Sequence, residues 1–180
     1  MVGLDVGCGN DKKPGCIGLD MNPGLKGVDI VHEIKSRTHL PFKSNVFDNV
    51  YLLDVVEHVQ DIAWLLSEVH RVATPNAQVD IQYPHFSGRN AYGDVMHHHY
   101  LGLDAFNHFI PETQEGQKYQ YYSLFGRHFP FDLQNKGVTF KMGEMCRLPY
   151  NLFGEGTYES SLSALLPIAT VNLELKVVKD

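Results

Sequence analysis

Apolar residues in the first half of this chain come in short runs, each stopped by glycine, proline or a polar turn. Val2–Val6 ends at Gly7-Cys8-Gly9-Asn10, residues 16–20 end at Asn22-Pro23-Gly24, and Val28–Val31 makes a third run. Asn49–Leu53, entered through Phe47-Asp48, is a fourth; Gln78–Tyr83, stopped by Pro84, is a fifth. Runs of this length between turn residues predict strands, and their lack of clear alternation suits a parallel sheet covered on both faces. Between the fourth and fifth runs, Ile62, Leu65, Leu66, Val69, Val72 and Ala73 recur at helical spacing. Asp61 is the expected N-cap, and Thr74-Pro75-Asn76 the stop. A strand–helix–strand unit of this kind is right-handed and parallel. A second helix is expected over 103–110, with Leu103, Phe106, Phe109 and Ile110 on one face. Val138–Met142 and Ala169–Val178 alternate in part and predict an antiparallel pair at one sheet edge.

The connections narrow this picture. Only residues 7–15 separate the first two strands, and about seven residues separate the second from the third. A parallel crossover ordinarily takes a dozen or more residues and a helix, so the N-terminal crossovers are shortened to turns. Repeats, low-complexity tracts and linkers are absent from the sequence, which predicts one domain over 1–180. Within it, 1–82 forms a cofactor half, and 83–131 an acceptor cap inserted before the last strands. A content of 43% hydrophobic and 20% charged residues fits a soluble globular chain with one core and excludes a disordered one. Fifteen basic against 21 acidic side chains leave a net charge of −6, which disfavours binding to a nucleic-acid backbone. Cys8, Cys16 and Cys146 match no disulfide framework, zinc spacing or redox spacing and read as reduced thiols. There is no secretory pattern at the N-terminus and no apolar window long enough to span a membrane, so a cytoplasmic location is expected.

Three chemical features fall in order at the carboxyl ends of predicted strands: Gly7-Cys8-Gly9, Asp20, and Asp54-Val55-Val56-Glu57-His58. Ligands of open parallel sheets bind at that edge. Gly7 and Gly9 permit close backbone approach, and Asp20 can accept hydrogen bonds from both hydroxyls of a ribose. A dinucleotide site needs a third glycine and a helix to hold the pyrophosphate, whereas Lys12 occupies that position and leaves no room for the helix. A phosphate-free nucleoside such as S-adenosylmethionine fits the remaining set.

Here the sequence resembles the class I S-adenosylmethionine-dependent methyltransferases of the small type 11 group. The likeness rests on Leu4-Asp5-Val6-Gly7-Cys8-Gly9-Asn10, Pro14–Asp20, Asp29–Ile34, Leu40–Asp48, Val55-Val56-Glu57-His58 and Glu68–Val72, and spans about residues 1–86 in register. It implies a Rossmann-like α/β fold with a mostly parallel central sheet, an antiparallel C-terminal edge pair and a shortened first crossover. It implies S-adenosylmethionine as cofactor and S-adenosylhomocysteine as product. By this resemblance Asp5, Gly7, Cys8 and Gly9 surround the methionine part, and Asp20 holds the ribose. Met21, Glu33 and Ile34 lie by the adenine, while Leu53 and Asp54 lie under the sulfonium.

The acceptor side is expected in 83–131, which holds 12 of the 20 aromatic residues and 6 of the 10 histidines. Aromatic side chains there serve either as core or as a wall that keeps water from the reacting atoms. His85 and His97 are the candidate bases, since imidazole exchanges protons near neutral pH. Glu57-His58 reads as a helix-start and packing pair, and His97-His98-His99 without a partner motif predicts no metal. The expected partner is a small-molecule, glycan-precursor or protein acceptor, with a homodimer left open. The rivals are a non-catalytic S-adenosylmethionine-binding scaffold, a nicotinamide oxidoreductase and a histidine-rich metal enzyme.

Overall fold

A computed structural model of the chain describes residues 2–140, 147, 150–152, 154–159, 163 and 167–179. Seven strands form one sheet: β1 (Gly3–Val6), β2 (Cys16–Asp20), β3 (Ile30–Val31), β4 (Phe47–Leu53), β5 (Ala73–Pro84), β6 (Phe131–Phe140) and β7 (Ile168–Val177). Their order is β3-β2-β1-β4-β5-β7-β6. The first five run parallel, and β7 is antiparallel to both of its neighbours. The antiparallel pair therefore closes one edge, as the alternation of the C-terminal segments predicts. Met142 lies outside the described residues.

The one full crossover uses helix α1 (Ile62–Val72). Asp61 caps it by accepting the Trp64 N–H at 2.9 Å, which satisfies one of the free amides of the first turn. Thr74-Pro75 ends the helix because proline has no N–H to donate and forces the residue before it out of the helical region. The chain passes into β5 with no loop between. The helix expected over 103–110 is reduced to a single 3₁₀ turn, Asn107–Phe109. Leu103, Phe106, Phe109 and Ile110 are nevertheless all buried. So short a segment does not offset the cost of starting a helix, and its apolar residues seat one by one in the core.

Among the described residues the two faces of the sheet are covered unequally, whereas the sequence predicts cover on both; β1 is buried at every position, but the strands beyond it are not. Buried and less buried positions alternate along β5 and β7. Val50, Leu52, Val79, Ile81, Leu173 and Leu175 share one continuous core with the apolar stripe of α1 and the aromatic segment. On the other face the register lines up Asp5, Tyr51, Asp80 and Glu174 across four strands. Among the described residues no helix belongs to that face. Two loops cover part of it instead. They come so close to β2 that a Cβ on Gly18 would overlap the Gly27 carbonyl oxygen. Asp29 fastens them, its Oδ2 accepting from the Gly18 N–H at 2.7 Å and from Lys12 Nζ at 2.6 Å. Loops can replace crossover helices here because a polar sheet face has little hydrocarbon to cover. Among the described residues, no helix is long and apolar enough to cross a membrane.

Candidate active site

The chain leaves β1 toward β2 on one side and returns to β4 on the other, so the strand order reverses between β1 and β4. Such a reversal opens a crevice at the carboxyl ends of the strands. A cleft of about 770 Å³ lies there, lined by Gly7, Asp20, Met21, Glu33, Ile34 and Asp54 among others. This size suits a nucleoside-sized ligand. Six of the ten expected cofactor residues thus meet in one place.

Local geometry shows how each is held. Gly7 turns the chain at φ +66°, and a Cβ there would come 2.5 Å from Val55 Cγ2. Its N–H and that of Cys8 both donate to the Leu19 carbonyl, at 2.7 and 3.2 Å. Asp20 is held from both sides, with Oδ2 accepting from the Gly9 N–H at 3.1 Å and Oδ1 from the Asn22 N–H at 2.9 Å. Each oxygen retains lone-pair capacity for a further donor, as a diol reader requires. The walls are mixed: Met21 is exposed, Ile34 packs against the core, and Glu33 pairs with Lys35 at the surface. No helix opens after β1 among the described residues, so this turn has no helix N-terminus to hold a pyrophosphate.

Four expected cofactor residues lie outside the cleft lining. Asp5 is buried, and its Oδ2 accepts from the Lys13 N–H at 2.7 Å, so it fastens the first loop. Burial pushes the Cys8 thiol up, with Asp5 and Asp20 adding to the shift, which keeps it protonated. Gly9 lies at φ +54° and acts through its backbone N–H. Leu53 ends β4 without reaching the cleft.

A second cleft of about 440 Å³ adjoins the first, lined by Glu57, Arg89, Asn90, Asp94, His97 and Thr170 among others. Asp54 and His58 line both. Asp54 sits at φ +55°, its Oδ2 accepting from Gln82 Nε2 at 2.9 Å. A non-glycine residue held in this region marks a place where neighbours dictate the backbone. Glu57 is 1% exposed. Burial pushes its carboxyl up to about 7; its own backbone N–H and His97 oppose the shift, and Asp54 and Asp94 add to it.

The two candidate bases part company. The His97 ring lines the second cleft, and its Nδ1 lies 2.9 Å from the Ala91 carbonyl oxygen. A carbonyl only accepts, so Nδ1 carries the hydrogen and Nε2 keeps a lone pair. His85 is fully buried and lines neither cleft. Its Nδ1 accepts the Ser87 N–H at 3.1 Å, so Nε2 donates to Glu159 Oε1 at 2.8 Å. That pairing joins the end of β5 to the segment before β7. Most aromatics of 83–131 divide between core and surface; Tyr83, Phe106, Phe109, Phe129 and Phe131 are core. Residues 83–131 touch the clefts through Pro84, Gly93, Met96 and polar side chains instead.

Glu57 and His58, which the sequence reads as a packing pair, line the clefts, Glu57 the second and His58 both. They form a 3₁₀ turn, Val56–His58, directly after β4. Their position at a strand's carboxyl end was the available signal.

Residues 4–79 match the family model of the methyltransferase domain, type 11. No curated protein matches the chain. Among solved structures, a SAM-dependent methyltransferase from Archaeoglobus fulgidus is similar at 16% identity and TM-score 0.56, over 98% of this chain and 86% of that one. An S-adenosylmethionine-dependent methyltransferase from Mesorhizobium loti aligns at 14% identity and TM-score 0.54, over 98% and 90%. The [4+2]-cyclase SpnF aligns at 13% identity and TM-score 0.57, over 100% and 76%. These identities establish the Rossmann-like fold, and the cyclase shows that the fold alone does not fix a reaction. The matched family implies S-adenosylmethionine as cofactor.

Proposed function

We propose that this chain, with a type 11 methyltransferase domain over residues 4–79, transfers a methyl group from S-adenosylmethionine to a small polar acceptor. The observation that carries the reading is the continuity of the two clefts. One ends on a carboxylate suited to a ribose, the other on a histidine lone pair, and Asp54 and His58 stand at their junction. The residues fit the cofactor. Asp20 takes the ribose hydroxyls, Met21 and Ile34 offer apolar surface to the adenine, and the Gly7 turn admits close approach of the tail. When bound, S-adenosylmethionine supplies an electrophilic methyl carbon whose bond to sulfur breaks with the electron pair left on sulfur.

The chain's own residues do the rest. Arg89, Asn90 and Thr170 give the second cleft donors and acceptors that suit a hydroxylated or amine-bearing molecule rather than a hydrocarbon. His97 Nε2 accepts the proton that the acceptor's nucleophilic atom gives up as it bonds to carbon. Orientation across the junction supplies much of the rate, because in-line displacement needs donor and acceptor at near-attack distance.

Calorimetric titration with S-adenosylmethionine, S-adenosylhomocysteine and NAD tests the cofactor assignment. Binding of the first two without NAD is expected; binding of NAD alone would overturn it. Substituting His97→Ala should leave cofactor affinity intact and lower turnover on an accepted substrate. Unchanged turnover would remove His97 from the chemistry.

A further inference from the structure

The second cleft holds a cluster that methyl transfer does not by itself require. Ligand-capable atoms of Glu57, His58 and His97 all lie within 4.8 Å of one another. Among the described residues, Glu57 Oε2 is buried without a hydrogen-bond partner. Native proteins rarely leave such an atom unpaired, because its desolvation is then uncompensated. The two imidazoles beside it meet edge to face, with centroids 4.6 Å apart.

The cluster is also held in place. The Glu57 carbonyl accepts the N–H of His98 at 2.8 Å and of His99 at 3.3 Å, which locks the turn after β4 against the loop carrying His97. The Ala91 carbonyl fixes the His97 ring so that Nε2 is the free donor atom. A backbone carbonyl on the far ring nitrogen is a common support for a metal-ligating histidine.

We propose that Glu57, His58 and His97 form a binding site for a divalent first-row metal ion of the zinc or manganese kind. Two imidazoles and one carboxylate match those ions, whereas magnesium and calcium prefer all-oxygen shells. Three protein ligands leave open positions in a cleft large enough for a substrate. A further role follows only on the methyltransferase reading: with the ion bound, His97 Nε2 serves as a ligand in place of the base, and the ion holds the acceptor's oxygen beside Asp54 and lowers its pKa as a Lewis acid, so that its proton passes to solvent. Metal binding itself does not depend on that reading.

The test is calorimetry of the full chain, stripped with a chelator, titrated with Zn²⁺ and with Mn²⁺, followed by S-adenosylmethionine on the same sample. One equivalent of metal is expected to bind. Glu57→Gln and His97→Ala should each weaken it by at least about tenfold, with melting temperature recorded to confirm folding. His128→Ala, whose ring lies against Tyr122, should bind metal normally. His97→Gln serves if His97→Ala fails to fold. Absence of stoichiometric metal, or equal affinity in the Glu57 and His97 variants, overturns the site. Normal metal binding without S-adenosylmethionine binding upholds the site and counts against the methyltransferase reading.

Discussion

Two residues at the head of the first cleft set its limits. Asp20 carries a carboxylate already oriented by the Gly9 and Asn22 amides. Asp20→Ala should weaken S-adenosylmethionine binding by about 1.5–3 kcal/mol, because charge-assisted hydrogen bonds are lost. Calorimetry measures the change directly, and unchanged affinity would sink the assignment. At Gly7 the constraint is conformational: its φ of +66° and the nearby Val55 methyl leave no room for a side chain. Gly7→Ala should cost roughly 1–2 kcal/mol or more of stability by chemical denaturation. These two residues are legible in the sequence because each closes an apolar run. Glu57 is legible there only by its place after the fourth apolar run; its burial is not. Its burial depends on the loop at 97–99 docking about forty positions further along, and residue spacing carries no record of that contact.

At the scale of elements, α1 is a well-specified unit. Its apolar stripe, N-cap and proline stop agree with one another, and agreement across levels makes a segment readable. Asp61→Ala should lower stability by about 0.5–2 kcal/mol as the Trp64 amide loses its partner. Thermal unfolding would show it, and an unchanged midpoint would mean the Ser36 contact to Asp61 and packing already hold the first turn. The segment 103–110 shows the opposite case. Its apolar spacing resembles a helical face, but the Leu103 amide donates to Glu159 at 2.7 Å, a partner from near the far end of the chain. The crossovers illustrate a third. Their brevity announces missing helices, but only the strand register shows that the polar positions of β4, β5 and β7 gather on the face those helices leave bare.

For the whole molecule, acid is the informative stress. Glu68 is buried and ties together the loop at 39–40, helix α1 and the segment carrying Arg127. It receives Arg71 Nη2 at 2.7 Å, Arg127 Nη2 at 2.9 Å and the Leu40 N–H at 2.9 Å, and contacts His39 Nδ1 at 2.9 Å. Burial alone would raise its carboxyl, but these partners override it and bring the pKa from 4.5 down to about 2. A depressed carboxylate stabilises the fold fully above its unfolded value, and that share is lost as pH falls from about 4.5 toward 2. His70 adds an earlier loss. Burial lowers it from 6.5 to about 4, so between those values the unfolded chain takes up the proton first. Glu57 opposes that loss, because its carboxyl, raised from 4.5 to about 7, takes up its proton first in the folded chain over much the same range. Melting temperature should therefore change little between about 6.5 and 4.5 and fall below about 4.5. Glu68→Gln should blunt that fall, while lowering stability at neutral pH because two arginines lose their charged partner.

The polar row of Asp5, Tyr51, Asp80 and Glu174 on one sheet face has a consequence for how the protein meets temperature. A sheet face built from such residues uncovers less hydrocarbon on unfolding than one packed with apolar side chains. Newly hydrated apolar area is what raises the heat capacity of an unfolded chain. Scanning calorimetry should therefore give an increment below the usual ~12–15 cal/mol/K per residue. The corresponding stability curve is broad and shallow, with cold and heat denaturation set far apart.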